Sequence, residues 1–314
     1  METTIAVIGG LNMDLSVRVA RLPAPGETVT GAEAVRGSGG KGGNQAVAVA
    51  RLGGRARMIG MLGDDPFGAE LRRNLEAEGV DVGRVGTAAT ATTGMALIVV
   101  QGDGENTITL SPGANAVLTA ADVGGTADSG GSAGSADSAD SAGFSDSADP
   151  ADVLLMNLEV PFEAVLAAAR GTRALRVLNA APIPDQDISE LLRVVDVLVV
   201  NETEAAALLG REVRDPRELL PLGPRTAVLT LGAGGATAAT AEGTWSTDAF
   251  AVEVVDAVGA GDAFCAALAV GLGSGAGIET ALRRACAAGA LATTRAGAQP
   301  ALPTRTEVDQ LLSR

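Results

Sequence analysis

The sequence contains no histidine, no tyrosine and two cysteines, and Phe and Trp together make up only 2% of it. Each shortage removes a class of chemistry. Without histidine there is no Ser-His-Asp or Cys-His catalysis, and Cys265 and Cys286 alone do not make a zinc site. General-base work therefore falls to Asp, Glu or Lys. Both cysteines lie in helix-like apolar segments, where they read as small buried hydrophobes rather than a disulfide. No run of Lys or Arg offsets a formal net charge of −15. Nucleic-acid binding is disfavoured, because it depends on basic groups that displace phosphate counterions. No uninterrupted apolar stretch approaches ~18 residues, so no membrane span is expected. The start, Met1-Glu2-Thr3-Thr4-Ile5, lacks the basic and apolar regions of a secretory signal. The chain reads as cytoplasmic.

What is present suits a layered α/β protein. The 314 residues are 46% hydrophobic and 19% charged, and Ala and Gly supply much of the apolar fraction. Short apolar strands at Ile5–Ile8, Ala56–Met61, Val153–Met156, Val177–Leu178, Val197–Val200 and Ala227–Leu231 alternate with helical segments. The helices are expected at Lys41–Leu52, Pro66–Glu78, Pro161–Arg170, Ile188–Val194, Glu202–Leu209, Asp262–Leu272, Glu279–Thr294 and Thr306–Leu312. That alternation predicts a mainly parallel sheet covered by helices. Leu15–Val19, Glu27–Val35, Met95–Gln101 and Asn106–Leu110 read as strands with no helix between consecutive members. They form either a small lid sheet or edge hairpins on the main sheet, with a turn at Gly102-Asp103-Gly104-Glu105. Gly124–Asp149 is a Ser/Ala/Asp/Gly tract too poor in apolar groups to offset its ordering entropy, and reads as a disordered insertion within a single domain, 1–314.

Several segments place polar groups where chemistry is possible. Asp256-Ala257-Val258-Gly259-Ala260-Gly261-Asp262 reads as a strand end entering a helix, whose first N–H groups and dipole suit an anion. Asp262 there repels phosphate but can take a proton from a hydroxyl attacking it; an acidic helix cap is the plainer alternative. Gly37-Ser38-Gly39-Gly40-Lys41-Gly42-Gly43-Asn44-Gln45-Ala46 also opens a helix, with Lys41 and Asn44 as donors. It is not a P-loop, since Gly42 stands where Ser or Thr is required. Gly9-Gly10-Leu11-Asn12-Met13-Asp14 puts an amide and a carboxylate just beyond a strand end, which suits a polyol and equally an Asx turn. Asn201-Glu202-Thr203-Glu204 offers either a carboxylate for the water shell of Mg²⁺ or an ordinary capped helix start. Neither Thr230–Gly235 nor Gly259–Phe264 completes G-x-G-x-x-G, so a dinucleotide fold loses its main support.

Together, and in this order, these segments resemble the PfkB-type carbohydrate kinases, in particular their ribokinase branch. Pro25–Thr28, Gly63–Asp65, Gly113–Asn115 and Thr294–Pro300 extend the resemblance along nearly the whole chain. It implies a ribokinase-like three-layer α/β/α fold with a small β-sheet lid, its strands at about 15–35 and 95–110. It implies ATP-dependent phosphorylation of a sugar, ribose being favoured over deoxyribose, fructose or a nucleoside such as adenosine. A catalytically silent sugar-binding regulator is the alternative of another class. The resemblance further implies a sugar site of Asn12, Asp14, Gly40, Lys41, Asn44 and Glu159, with Asp262 as base and Gly259, Ala260 and Gly261 as anion hole. Nucleotide contacts would come from Asn201, Thr230, Gly232, Gly235 and Gly261. Cys286 stands where some relatives carry an adenine-neighbouring histidine. Glu204 would join the Mg²⁺ network, and K⁺ would be held at Asp256, Val258, Ala292, Arg295, Gly297 and Ala301, mostly by backbone carbonyls. Ala301 departs from the serine common there. A homodimer through paired lids is the implied assembly.

Overall fold

The computed structural model describes residues 2–101, 106–123 and 150–314. The expected turn at Gly102–Glu105 and the tract at Gly124–Asp149 lie outside the described residues. In chain order the first half carries β1 (Thr4–Ile8), β2 (Asn12–Val19), β3 (Val35–Gly39), α1 (Lys41–Arg51), β4 (Arg55–Gly63), α2 (Pro66–Ala77), β5 (Asp81–Ala88), β6 (Gly94–Gln101), β7 (Asn106–Ser111) and a short α3 (Ala120–Val123). The second half continues with β8 (Val153–Met156), α4 (Phe162–Gly171), β9 (Leu175–Asn179), α5 (Ser189–Leu192), β10 (Val197–Asn201), α6 (Glu202–Leu209), β11 (Thr226–Thr230), β12 (Ala236–Ala239), β13 (Thr244–Thr247), α7 (Ala260–Gly273), α8 (Ile278–Ala292) and α9 (Arg305–Leu312).

Among the described residues nine strands form one sheet in the order β13-β12-β11-β10-β9-β8-β1-β4-β5. All its pairings from β11 to β5 are parallel, and the β11–β12 and β12–β13 pairings are antiparallel. Successive residues of each strand point to opposite faces, and both faces are covered. Ile5 and Val7 pack with Val153, Leu155, Val199 and the helices α1, α7 and α8. Ala6 and Ile8 face the other way, with Leu154, Met156, Leu178 and the helices α4 and α5. These are the three expected layers. Small residues let the covering helices close up: a Cβ on Gly271 of α7 would lie 3.0 Å from Ala281 Cβ of α8.

A second sheet of four strands, β3-β2-β6-β7, stands apart from the first. This settles the sequence ambiguity in favour of a separate small sheet rather than edge hairpins. Two expectations near the site are corrected. The strand expected at Glu27–Val35 forms instead at Val35–Gly39, because antiparallel pairing with β2 matches Asn12 to Gly39 and Ser16 to Val35. The glycine-rich stretch Gly37–Gly39 before Lys41 is thus itself part of a lid strand. The segment leading to Gly259 is not a strand end; residues 249–258 follow an irregular path fixed by Val255 and Asp256 N–H groups donating to Thr293 O. Among the described residues no helix is long and apolar enough to cross a membrane.

Candidate active site

β1 ends at the Gly9–Gly10 turn and the chain passes directly into lid strand β2. A Cβ on Gly9 would come within 2.0 Å of Asn157 Nδ2, and one on Gly10 within 2.5 Å of Glu159 Oε2. The paired glycines therefore let the segment after β8 close on this turn. α1 starts against the same turn: Gly40, at φ 83°, would push a Cβ to 2.6 Å from Gly10 O, and Gly43 N–H donates to Gly10 O at 3.2 Å. Lys41 N–H donates to Glu159 Oε2 at 2.8 Å. These contacts bring Gly40, Lys41 and Glu159 together with the start of β2, where Asn12 and Asp14 lie.

Asn12 is buried and its Oδ1 accepts from Asn115 Nδ2 at 2.7 Å, while Asn115 also bonds the Leu11 backbone at both ends. Asp14 is half-buried beside Gly39, where a Cβ would sit 2.0 Å from its carboxylate. Burial, then the charges of Glu159 and Asp262, push Asp14 up to about 7. Burial also raises Glu159, against the pull of Lys41, and Asp262 adds to the rise. Burial works against the Lys41 ammonium, but Asp262, Glu159 and Glu204 outweigh it and hold its pKa above the usual value. One ammonium among so many carboxylates leaves a site that favours hydroxyl donors.

Asp262 lies in the first turn of α7 and is 6% exposed. Its Oδ2 accepts from Asn44 Nδ2 at 2.9 Å and its Oδ1 from Gln45 Nε2 at 3.1 Å. Burial raises its pKa, opposed by Lys41 and by these two donors. The plainer reading of Asp262 as a simple helix cap does not describe it, since the N-cap is Gly259 at φ 80° and no side chain caps α7. Among the described residues Asn44 Oδ1 is buried with no partner, an acceptor that a hydroxyl would satisfy.

A cavity of about 250 Å³ opens beside Asp262, lined among others by Lys41, Asn201, Glu204, Thr230, Gly259 and Gly261. It sits at the carboxyl ends of β9, β10 and β11, where open parallel sheets bind ligands. Glu204 and Asn201 form a reciprocal capping box at α6, each backbone N–H donating to the other's side chain at 2.8 Å. The cap and the cavity wall are thus the same residues; burial raises Glu204, against Asn201 N–H and Lys41. Gly232, Gly235 and Cys286 do not line this cavity. Gly232 and Gly235 form the turn after β11, and a Cβ on Gly235 would meet Thr247 O at 2.1 Å. Cys286 faces the same carbonyl from α8, and burial pushes its thiol up to about 11. Cys265, buried in the cavity wall with Asp262, is pushed up by burial and by that carboxylate; neither cysteine is in a disulfide.

Of the residues expected around a monovalent cation, Asp256, Val258 and Gly297 are tied together next to the α7 N-terminus. Asp256 joins two loops, accepting from Val258 N–H at 3.0 Å and from Gly297 N–H at 2.9 Å. Ala292 ends α8, Ala301 is buried in the following turn, and Arg295 is ion-paired through its side chain with Glu307, leaving its carbonyl as the available group.

Residues 2–305 match the description "pfkB family carbohydrate kinase". The chain belongs to this family. It is 35% identical over 325 residues to the ribokinase of Haemophilus influenzae, covering 99% of each chain. It is 31% identical over 322 residues to the deoxyribokinase of Salmonella typhimurium, covering 98% of each. The solved structure of Arabidopsis thaliana ribokinase complexed with ribose and ATP superposes with a TM-score of 0.84 at 28% identity, covering all of both chains. In this carbohydrate kinase, sequence reasoning missed the amides that support the site. Asn115 lies within a family motif but its bond to Asn12 spans a lid boundary. Gln45, Asn157 and Asn179 are buried, and a lone buried amide carries no signal until its partner is known.

Proposed function

We propose that this kinase transfers the terminal phosphoryl group of ATP to the primary hydroxyl of D-ribose, giving ribose 5-phosphate and ADP. The observation that carries this reading is a buried carboxylate, Asp262, held on both oxygens and set where the uncapped α7 N-terminus faces a cavity. The ribokinase relatives, one of them solved with ribose and ATP, support ribose and ATP as the two substrates.

In the transfer, the sugar oxygen forms a bond to the γ-phosphorus as the bond to the β-bridging oxygen breaks. The hydroxyl proton passes to Asp262, and ADP leaves with the electron pair. Gly259, Ala260 and Gly261 present helix N-terminal amides to the transferring group, and Lys41 offsets its charge. Asn12, Asp14, Gly40, Asn44 and Glu159 hold the sugar, the unpartnered Asn44 Oδ1 accepting one of its hydroxyls. Asn201 and Thr230 border the nucleotide, with Gly232, Gly235 and Cys286 further along its path.

Among the described residues no group of three or more His, Cys, Asp or Glu could hold a metal ion. Mg²⁺ fits as an ion carried on the triphosphate with its waters, Glu204 facing that shell, and when bound it neutralises phosphate charge. K⁺ fits the loops stitched by Asp256, where backbone carbonyls of Val258, Ala292, Arg295, Gly297 and Ala301 would hold it. The lid favours a homodimer. Register places Val35, Ile98, Ile108 and Leu110 on the face that bears Asp14, and Val35, Ile108 and Leu110 are 63%, 49% and 48% exposed. A second lid would cover them, and sedimentation of Ile108→Lys as monomer beside a dimeric parent checks it.

The deciding experiment is ADP release from Mg·ATP with D-ribose, 2-deoxyribose, fructose and adenosine, each in Na⁺ and in K⁺. Turnover on ribose above the others, rising with K⁺, is the expected result. Preference for 2-deoxyribose moves the specificity, and no turnover on any of them overturns the kinase reading.

A further inference from the structure

Gln45, Asn157 and Asn179 are buried amides, and Gln45 and Asn157 are both 0% exposed. They form one directed chain. Gly10 N–H and Glu159 N–H donate to Asn157 Oδ1 at 3.4 and 3.2 Å, Asn157 Nδ2 donates to Gln45 Oε1 at 3.2 Å, and Gln45 Nε2 donates to Asp262 Oδ1 at 3.1 Å. The second Gln45 N–H goes to Asn179 Oδ1, also at 3.1 Å, on the cavity wall. An ionised carboxylate only accepts, so Gln45 must turn its nitrogen to Asp262 and its oxygen to Asn157, which fixes the next amide in turn. Along the path from Gly10 through Asn157 and Gln45 each donor points toward Asp262, and such chains polarise and strengthen one another.

We propose that Gln45 is a positioning residue of the phosphoryl transfer, fixing the plane of the Asp262 carboxylate and tying it to the Gly9–Gly10 turn from which Asn12 and Asp14 extend. It touches neither substrate; it acts through Asp262. A glutamine that merely satisfies buried polar groups would affect stability alone. This rests on Asp262 being the base. The charged and titratable groups facing Asp262 are Lys41 on α1, Glu159 beyond β8, Asp14 on the lid and Cys265 on its own helix, and the variants below leave all four in place.

The test is kcat and KM for ribose across pH for Gln45→Met and Gln45→Glu, with Asp262→Asn in parallel. Gln45→Met removes the donors at similar volume. Its kcat is expected to fall about 10- to 100-fold, with KM for ribose within about threefold, since the direct sugar contacts remain. Its acidic limb of kcat moves to higher pH, because ionised Asp262 has lost a donor. Gln45→Glu keeps the shape, carries the test if Gln45→Met does not fold, and moves the limb the same way by setting a second carboxyl against the first. A folded variant with an unmoved limb, or with KM rising as much as kcat falls, overturns the inference. Near-parental turnover in Asp262→Asn overturns instead the base assignment beneath it.

Discussion

Replacing Asp14 by asparagine keeps the shape of a lid side chain and removes its proton chemistry. In the ligand-free enzyme its pKa is raised from 3.8 to about 7 by burial and by Glu159 and Asp262. The sign follows from linkage. Between pH 4 and 7 an unfolded chain has released this proton while the folded one keeps it. Stability therefore falls as pH rises through that window, and the full cost is present above pH 7. At ~1.4 kcal/mol per unit, a shift of about three units costs at most ~4 kcal/mol. Water reaching a half-buried group lowers this, so about 1–3 kcal/mol is the expected range. Asp14→Asn should thus stabilise the empty enzyme by that amount at pH 8 and by only about a quarter of it at pH 4.5. Urea unfolding at the two pH values, without sugar or nucleotide, measures it. The same variant should bind ribose weakly, and the parent should release a proton on binding ribose at pH 6, because sugar hydroxyls donate to the ionised form. Equal stabilisation at both pH values, or none at pH 8, would refute the reasoning.

Asp262→Asn should lose roughly 10²–10⁴ in turnover while calorimetry still finds ribose binding, because the sugar contacts proposed for Asn12 to Glu159 remain. Gly40→Ala forces a left-handed φ of 83° and a Cβ 2.6 Å from Gly10 O, so a stability loss of at least ~2 kcal/mol is expected from urea unfolding, with weaker ribose binding. Asp256→Ala removes the bonds to Val258 and Gly297 N–H, and its turnover in K⁺ should fall to the level measured in Na⁺.

The parallel core was legible because its strands are short continuous apolar runs, Ile5–Ile8 and Val197–Val200 among them, that only a sheet covered on both faces buries. The edges were not. Asp81–Ala88 reads Asp-Val-Gly-Arg-Val-Gly-Thr-Ala, and its glycines and charges hide a strand that pairing with β4 imposes. Val35–Gly39 failed for the same reason, and the strands Ala236–Ala239 and Thr244–Thr247 are too short to announce themselves. At the site, Lys41, Asn44 and Asp262 were readable from glycine-dense helix starts. Gln45 was not, since its meaning lies in Asn157, Asn179 and Asp262, which the topology alone brings to it.

The bond from Asn44 to Asp262 joins residues 218 positions apart. Contacts of such separation are slow to find, because a long loop must close before they contribute. During synthesis the first lid strands and α1 emerge with all of the proposed sugar-holding groups except Glu159 already in place. Asp262, its donors Asn44 and Gln45, and the α7 N-terminus meet only when α7 is made and packed. Recovery of turnover on refolding should accordingly trail recovery of helical signal, making activity a clock for the last long-range step of folding.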